Sequence, residues 1–301
     1  MAVDRRDGQV LWTSDLKGEE VLSDPVWLEP DLFSLTAART GHEEFTLQWT
    51  RFDPASGMAT ARHPLLELRN VWSDTIPTEA IPCQVIAVGD RIVVNAGGCV
   101  LSADADGRVR WLRRQTYLPW PKDSHYSASV RAVAPLDPPL VFEGRVYAIQ
   151  PGGWSLECAD VRSGQLLWRQ VLPELRRLLG VVGGRLLVSS ATQLLALDPR
   201  SGQPLWSRAT DPRSALTLTG PSGAIVVFES QPAASAPAGQ PKLVWLDGAS
   251  GAVVHTAALR LPSAHAVQSG PLVFAADRCW GFFAAEPDGF SREIVELTRG
   301  E

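Results

Sequence analysis

Residues 196–206 read A-L-D-P-R-S-G-Q-P-L-W. Apolar Leu195 and Leu197 alternate along the chain just before a cluster of Asp, Pro, Ser and Gly residues. Alternating apolar residues next to such a cluster predict two β-strands that are joined by a tight turn. We therefore expect a β-hairpin in this part of the chain.

The same pattern recurs along the sequence. Residues 2–12 carry Ala, Asp, Gly and Trp at the same offsets, residues 158–168 have Cys in the Ala place, and residues 102–111 have a turn one residue shorter. Three weaker copies have Ala61, His255 and Glu293 in the Trp place. The turn glycines lie 38 to 57 residues apart, at positions 8, 57, 107, 164, 202, 251 and 289. A period of this length predicts one four-stranded propeller blade for each copy.

In these residues the chain resembles the pyrroloquinoline-quinone-type repeat β-propellers, whose tryptophan-docking motif has the form Ala-x-Asp-x-x-x-Gly-x-x-x-Trp. Residues 2–12 and 196–206 match this motif at every named position. The family includes quinone-dependent dehydrogenases and the non-catalytic propeller subunit of the outer-membrane barrel assembly machinery, which is the type that the chain resembles most. The resemblance implies an all-β fold, a β-propeller of four-stranded antiparallel blades.

We expect residues 1–301 to form a single propeller domain of six full blades and a half blade. Residues 1–16 supply two outer strands, so the domain is predicted to be truncated at its N-terminus and to belong to an eight-bladed ring; a closed seven-bladed ring is the alternative. An open ring leaves an unpaired edge in residues 2–12, and we then expect the isolated chain to self-associate. The strand predictions that matter below are 25–28 in the second blade, 130–134 and 140–149 (one or two strands) in the fourth, and 266–269 and 272–275 in the seventh.

Each part of the repeated hairpin has a physical role. Glycine supplies a positive φ at the end of the turn, and aspartate accepts hydrogen bonds from turn amides. Tryptophan is large enough to fill the space between neighbouring blades. The chain contains 11 Trp residues, which is consistent with one indole in each seam between blades.

Composition excludes several function classes. The net charge of −5 and the scattered arginines provide no basic stripe for nucleic acid. No apolar run approaches the roughly 18 residues needed for a transmembrane segment, and the N-terminus lacks the pattern of a signal peptide. The compartment therefore stays open, and the family resemblance favours the periplasm or the cell envelope. The four cysteines lie far apart on apolar strands, where we expect buried free thiols.

The long connections are predicted to lie on one face, because the short turns within each blade share the other face. These connections are residues 38–44, 63–82, 113–129 and 230–242. Loops on a rigid scaffold often carry function. Amphipathic aromatic side chains are typical of recognition surfaces, although they also pack against blade rims. The predicted partner-binding residues are Trp72, Tyr117, Trp120, His125 and Tyr126.

Motifs for catalysis, cofactors or metals are weak throughout, so the sequence predicts neither an enzyme nor a cofactor. We expect a non-catalytic scaffold that binds a protein partner through the long-loop face. The alternatives are a quinone-dependent dehydrogenase and a propeller that binds a sugar or a peptide. The dehydrogenases of the family commonly carry calcium and a pair of adjacent cysteines, and this sequence has no adjacent pair.

Overall fold

The structure is a computed structural model. It describes residues 2–4, 6–14, 16, 18–41, 44–69, 83–96, 98–114, 137–150, 155–172, 175–190, 192–210, 215–218, 225–229, 242–258, 266–275, 278–285 and 292–298. All regular secondary structure in these residues is β-strand. Every strand pairing is antiparallel. The chain divides into two compact units, Met1–Pro173 and Glu174–Glu301, and a single domain over residues 1–301 stays a prediction.

The first unit holds four sheets, numbered here in chain order. Sheet 1 is β1 (Ala2–Val3) and β2 (Val10–Trp12). Sheet 2 is β3 (Glu19–Val21), β4 (Val26–Leu28), β5 (Asp31–Arg39), β6 (Glu44–Phe52) and β7 (Ala59–Arg69). Sheet 3 is β8 (Cys83–Val88), β9 (Arg91–Ala96), β10 (Cys99–Asp104) and β11 (Val109–Arg114). Sheet 4 is β12 (Leu140–Phe142), β13 (Arg145–Ile149), β14 (Ser155–Asp160) and β15 (Leu166–Val171).

The second unit holds three sheets. Sheet 5 is β16 (Leu175–Val182), β17 (Arg185–Ser190), β18 (Gln193–Leu197) and β19 (Pro204–Ala209). Sheet 6 is β20 (Ala215–Leu218), β21 (Ile225–Glu229), β22 (Lys242–Leu246) and β23 (Val253–Ala258). Sheet 7 is β24 (Ala266–Ala275), β25 (Arg278–Ala285) and β26 (Arg292–Thr298).

Sheets 3 to 6 each have four strands in chain order, as the sequence predicts. In sheet 4 the stretch 140–149 forms two strands, because Glu143 and Gly144 both take positive φ angles and turn the chain between β12 and β13. The sheet is therefore complete without residues 130–134. That predicted strand lies outside the described residues.

Sheet 2 differs from the prediction, because its first strand position is divided between β3 and β4, which both pair with β5. Only residues 25–28 were expected there. The hydroxyl of Ser23 accepts a hydrogen bond from the Leu35 N–H at 3.0 Å, and the hydroxyl of Ser34 donates to the Ser23 carbonyl at 2.9 Å. Pro25 has no N–H to donate. Side-chain hydrogen bonds thus replace part of the backbone ladder, and the strand is interrupted.

Sheet 7 requires a second correction, because residues 266–269 and 272–275 form one strand, β24, and not two. The register with β25 shifts between Gln268 and Leu272. The intervening Gly270 and Pro271 indicate a turn in the sequence, but these residue types also occur at β-bulges. The irregularity stays within one strand, and the described residues of sheet 7 form three strands.

The repeated hairpin turns have the predicted chemistry. In sheet 4 the Asp160 carboxylate accepts hydrogen bonds from the Ser163 N–H and hydroxyl, both at 2.8 Å, and from the Arg162 N–H at 3.0 Å. These bonds hold the pKa of Asp160 below its usual value. Gly164 closes the turn at φ 70°. The positive φ favours glycine at this position, as the motif predicts.

Three motif tryptophans dock on the motif glycine of the next sheet. Their Nε1–H groups donate to backbone carbonyls of that turn: Trp12 to Pro54 at 2.9 Å, Trp111 to Val161 at 2.9 Å and Trp206 to Gly248 at 3.2 Å. A Cβ atom on the facing glycine would come within 2.2, 2.6 and 2.7 Å of the indole, at Gly57, Gly164 and Gly251 respectively. The glycines are therefore required for close approach as well as for turn geometry.

Sheet 2 uses a different residue for the same contact. The motif puts Ala61 in the Trp place, but it is His63 that lies over Gly107, where an added Cβ would come within 2.2 Å of the His63 Cβ. Residues 61 and 63 share one face of β7, because side chains of a strand alternate. A neighbour on the same face thus takes over the docking position.

Apolar clusters fill the spaces between neighbouring sheets. Phe33, Leu47 and Trp49 of sheet 2 pack with Ile92 and Leu101 of sheet 3, and the Phe33 and Trp49 rings stack at 5.1 Å. Cysteines Cys83, Cys99 and Cys158 are free thiols. Cys83 and Cys158 are buried, and burial raises the pKa of each to about 12, which keeps both thiols protonated. The predicted buried free thiols are confirmed at these two positions, whereas Cys99, the first residue of β10, is only half-buried.

Candidate protein-interaction site

The long connections of sheet 3 leave from one end of the sheet. Cys83 pairs with Ala96, Ala96 with Cys99, and Cys99 with Arg114, so these four residues form one row across the four strands. Residues 70–82 precede this row and residues 115–136 follow it. The predicted partner-binding residues Trp72, Tyr117, Trp120, His125 and Tyr126 belong to these two segments and lie outside the described residues.

Short turns occupy the opposite end of sheets 3 and 4. In sheet 3 the Ala105 N–H donates to the Asp90 carbonyl at 3.3 Å, and in sheet 4 the Val161 N–H donates to the Gly144 carbonyl at 2.9 Å. Each bond joins the last hairpin turn of a sheet to its first. The prediction that these two kinds of turn share one end is confirmed in both sheets.

A buried ionic cluster lies near the long-connection end, between sheets 3 and 4. The Glu157 carboxylate on β14 is only 3% exposed and accepts hydrogen bonds from Arg113 Nε at 3.2 Å and Arg169 Nε at 2.7 Å. Arg113 belongs to β11 of the neighbouring sheet, whereas Arg169 lies opposite Glu157 on β15. A buried carboxylate is stable only when it is paired and hydrogen-bonded, and here both arginines satisfy it.

Further buried polar groups lie at the same end of sheets 3 and 4. The fully buried Asn95 on β9 donates through Nδ2 to the Ile149 carbonyl at 3.1 Å, which is a second bond from sheet 3 to sheet 4. Gln150 and Ser155 flank residues 151–154, and they are joined by the Ser155 hydroxyl, which donates to Gln150 Oε1 at 2.5 Å. Both are buried. We call Asn95, Arg113, Gln150, Ser155, Glu157 and Arg169 the loop-root cluster.

The hydrogen bonds and ion pairs of the loop-root cluster favour a structural role over a catalytic one. The Glu157 carboxylate is paired with two arginines. Asn95 Nδ2 donates to the Ile149 carbonyl and the Ser155 hydroxyl donates to Gln150 Oε1, whereas Asn95 Oδ1 has no hydrogen-bond partner among the described residues. Among the described residues no group of three His, Cys, Asp or Glu side chains is placed to hold a metal ion. What the cluster does physically is fix the ends of β11, β13 and β14, the strands next to segments 115–136 and 151–154.

The sequence analysis missed the loop-root cluster. It placed Arg113 in the connection 113–129, but β11 continues to Arg114, so Arg113 is a strand residue. Likewise β7 extends to Arg69, well into the predicted connection 63–82. One signal was present: Glu157 interrupts the otherwise mostly apolar β14, and an acidic residue at a buried position requires a partner.

Comparison with known proteins identifies the family. The family model described as outer membrane protein assembly factor BamB matches residues 1–170 and again 127–280. The chain belongs to this family. A BamB from Yersinia pestis is 26% identical over 214 residues, which cover 69% of this chain and 48% of the relative. The chain thus matches about half the length of this curated relative.

A solved structure shows the same fold. The crystal structure of BamB from Moraxella catarrhalis aligns with a TM-score of 0.61 at 15% identity, and the alignment covers 98% of this chain and 76% of that one. The predicted fold class is therefore confirmed: the chain is an all-β protein of the propeller type with four-stranded antiparallel sheets. The family resemblance is confirmed as well. The number of blades in the ring stays a prediction.

Within the described residues, no helix is long and apolar enough to cross a bilayer.

Proposed function

We propose that this chain is a non-catalytic propeller scaffold that binds a protein partner through the long-connection end of sheets 3 and 4. The observation that carries the proposal is the loop-root cluster, in which Glu157 joins Arg113 of one sheet to Arg169 of the next. A recognition loop binds more tightly when its ends are held in place, because less conformational entropy is lost on binding. The cluster supplies such support next to segment 115–136.

The residues proposed to make the contact are the aromatic ones of the two long segments, Trp72, Tyr117, Trp120, His125 and Tyr126. Tyrosine and tryptophan combine a large apolar area with a polar tip and are enriched in the energetically dominant parts of protein interfaces. Membership of the BamB family supports a protein partner over a small substrate. It also supports a role in outer membrane protein assembly and a place in the cell envelope, both of which we propose for this chain.

The test is partner capture from a cell-envelope fraction with matched variants. We expect the triple variant Trp120→Ala, His125→Ala, Tyr126→Ala to lose the captured partner. The controls are Arg145→Ala and Arg185→Ala, because these arginines start strands at the short-turn ends of sheets 4 and 5, where they donate to the nearby Glu143 and Gly183 carbonyls. Both controls should retain the partner.

Two outcomes would contradict the proposal. If the triple variant melts like the unsubstituted chain and still captures the same amount of partner, the binding surface must lie elsewhere on the chain. Calcium-dependent dye reduction after incubation with pyrroloquinoline quinone would instead support the dehydrogenase alternative. The two assays use the same purified chain, so the two functions can be separated directly.

A further inference from the structure

The outermost strands of the sheets differ in how their free edges are protected. Natural sheets protect an edge strand with charged residues or proline, because its unpaired N–H and C=O groups otherwise pair with another strand. Among the described strands that come last in their sheets and have six or more residues, β7 and β19 contain proline and arginine, and β11, β15 and β26 contain arginine. At the opposite edge of sheet 3, β8 also lacks charge and proline, but it contacts β4 of sheet 2. The strand β23 reads V-V-H-T-A-A and contains neither charge nor proline.

The side chains of β23 are also accessible. Val253 is 47% exposed and Val254 is 66% exposed, and His255 and Thr256 are exposed as well. Valine and threonine are strong strand formers. β23 ends the order of sheet 6, and no other described strand pairs with its outer edge.

The motif position of β23 holds histidine in place of tryptophan, and this residue is exposed too. In sheet 5 the motif residue Trp206 of the outermost strand is anchored to the next sheet, over Gly251. In β23 the same place holds His255, whose ring instead packs on Trp245 of its own sheet at 5.1 Å. The outer edge of β23 therefore combines an unprotected sequence with an exposed motif residue.

We propose that β23 pairs antiparallel with β23 of a second copy of this chain, around a two-fold axis at His255. This register sets His255 opposite itself, Val254 opposite Thr256 and Val253 opposite Ala257, so no Asp, Glu, Lys or Arg side chain takes part in a cross-strand pair. The contact is isologous and closes on itself, since it uses the same edge of both copies.

The expected dimer is weak. A six-residue strand pair is smaller than the interfaces of about 1,200–2,000 Å² found in stable complexes. The dimer should therefore form reversibly and its population should rise with protein concentration.

Sedimentation of the full chain over a wide range of concentrations tests the proposal. We expect a monomer–dimer equilibrium whose dissociation constant rises at least about tenfold in Val254→Lys. Leu205→Lys on β19 is the matched control, because Leu205 is 51% exposed on an edge already protected by Pro204 and Arg208. Leu11→Lys on β2 tests the rival edge in residues 2–12. Both controls should dimerise like the unsubstituted chain.

Cross-linking supplies a second measurement that does not depend on a destabilising charge. In the proposed register, His255→Cys puts two thiols opposite each other at a separation that a disulfide can bridge. We expect oxidation to give a covalent dimer of His255→Cys and none of Leu205→Cys. A chain that stays monomeric at all concentrations would overturn the proposal. So would dimerisation unaffected by Val254→Lys, abolished equally by Leu11→Lys, or unaccompanied by cross-linking at position 255.

Discussion

Sheets 3 and 4 meet through a docked tryptophan, an apolar cluster and a buried ionic cluster, whereas sheets 5 and 6 meet through a docked tryptophan and an apolar cluster. Both pairs share the docked tryptophan, Trp111 over Gly164 in one and Trp206 over Gly251 in the other. In the first pair the Glu157 carboxylate lies near the far end of the seam. The second pair is filled by an apolar cluster that includes Val244.

The difference can be assigned to equivalent positions. Glu157 and Val244 each lie one residue before the position that faces the motif residue of the outermost strand, and they pair with Arg169 and Thr256 respectively. Both side chains are buried, at 3% and 1% exposure. The same scaffold position thus holds a charge in one seam and a valine in the other.

The contacts that the two seams share belong to the fold, whereas the charged cluster is found, among the described residues, in only one of the two seams. A docked tryptophan is present in both seams, and between sheets 5 and 6 it is accompanied by apolar packing. A buried ion pair is seldom more stabilising than apolar residues of similar size. The charged cluster between sheets 3 and 4 therefore calls for a reason other than stability, and support of the neighbouring loop provides one.

The largest expected effect tests the shared part of the two seams. Trp111→Ala and Trp206→Ala should each lower the free energy of unfolding by about 3–5 kcal/mol, because each removes a docked indole and leaves a void. Trp27→Ala is the control, since Trp27 is 53% exposed and should cost about 1 kcal/mol or less. Urea unfolding measures all three. Equal losses at Trp27 and Trp111 would mean that docking is not what holds the seams.

The glycine beneath the indole gives the next largest effect. Gly164→Ala and Gly89→Ala both force alanine to a positive φ, which costs about 1–2 kcal/mol. Only at Gly164 does the new Cβ also clash with Trp111, at 2.6 Å, whereas Gly89 has no atom within 4 Å. We expect a total of about 2–4 kcal/mol at Gly164, from strain plus overpacking. Similar urea midpoints for the two variants would contradict the docking geometry.

The charged part of the comparison is tested by Glu157→Gln. This change leaves Arg113 and Arg169 without their carboxylate, and we expect a loss of about 2–3 kcal/mol, less than for a fully buried pair because both arginines are about a quarter exposed. Thermal or urea unfolding provides the measurement. A loss no larger than that of an exposed surface pair, about 1 kcal/mol or less, would show that the cluster is not held together by Glu157.

A triple change sharpens the same point. Arg113→Met, Glu157→Leu, Arg169→Met converts the cluster to the apolar chemistry of sheets 5 and 6, and we expect it to regain most of the stability lost in Glu157→Gln. If the cluster supports the loop, the triple variant should nevertheless bind its partner more weakly than the unsubstituted chain. Partner capture beside an unfolding curve separates the two effects. Full binding by a stable triple variant would leave the cluster without a role in recognition.

The sequence predicts the local parts of this fold well. The repeated turn depends on interactions within six residues, so the Asp and Gly positions and the strands on either side follow from the pattern alone. The prediction fails where a contact depends on distant residues. Ser23 interrupts the first strand of sheet 2 through Leu35, and Glu157 is held by Arg113, which is 44 positions away. His63 replaces the expected docking residue because the face of a strand, and not one position on it, meets the next turn.

The smallest expected effect concerns the turns, which the two seams share. Hydrogen bonds from Ser163 and Arg162 lower the pKa of Asp160, and the Ser250 hydroxyl and the turn N–H groups lower that of Asp247. A carboxyl group with a lower pKa in the folded state stabilises that state above its unfolded pKa, near 3.8, and the contribution disappears as the pH falls through the folded value. We therefore expect Asp160→Asn and Asp247→Asn to lower the melting temperature slightly at neutral pH and to match the unsubstituted chain more closely in acid. Ser163→Ala should show part of the same pH dependence, because it removes one of the bonds to Asp160.

Since both seams have the same turn, the two aspartate variants should behave alike, unlike variants of Glu157 and Val244. A melting difference that is constant from neutral to acidic pH would show that these turns are held by backbone geometry and not by the charge of the aspartate.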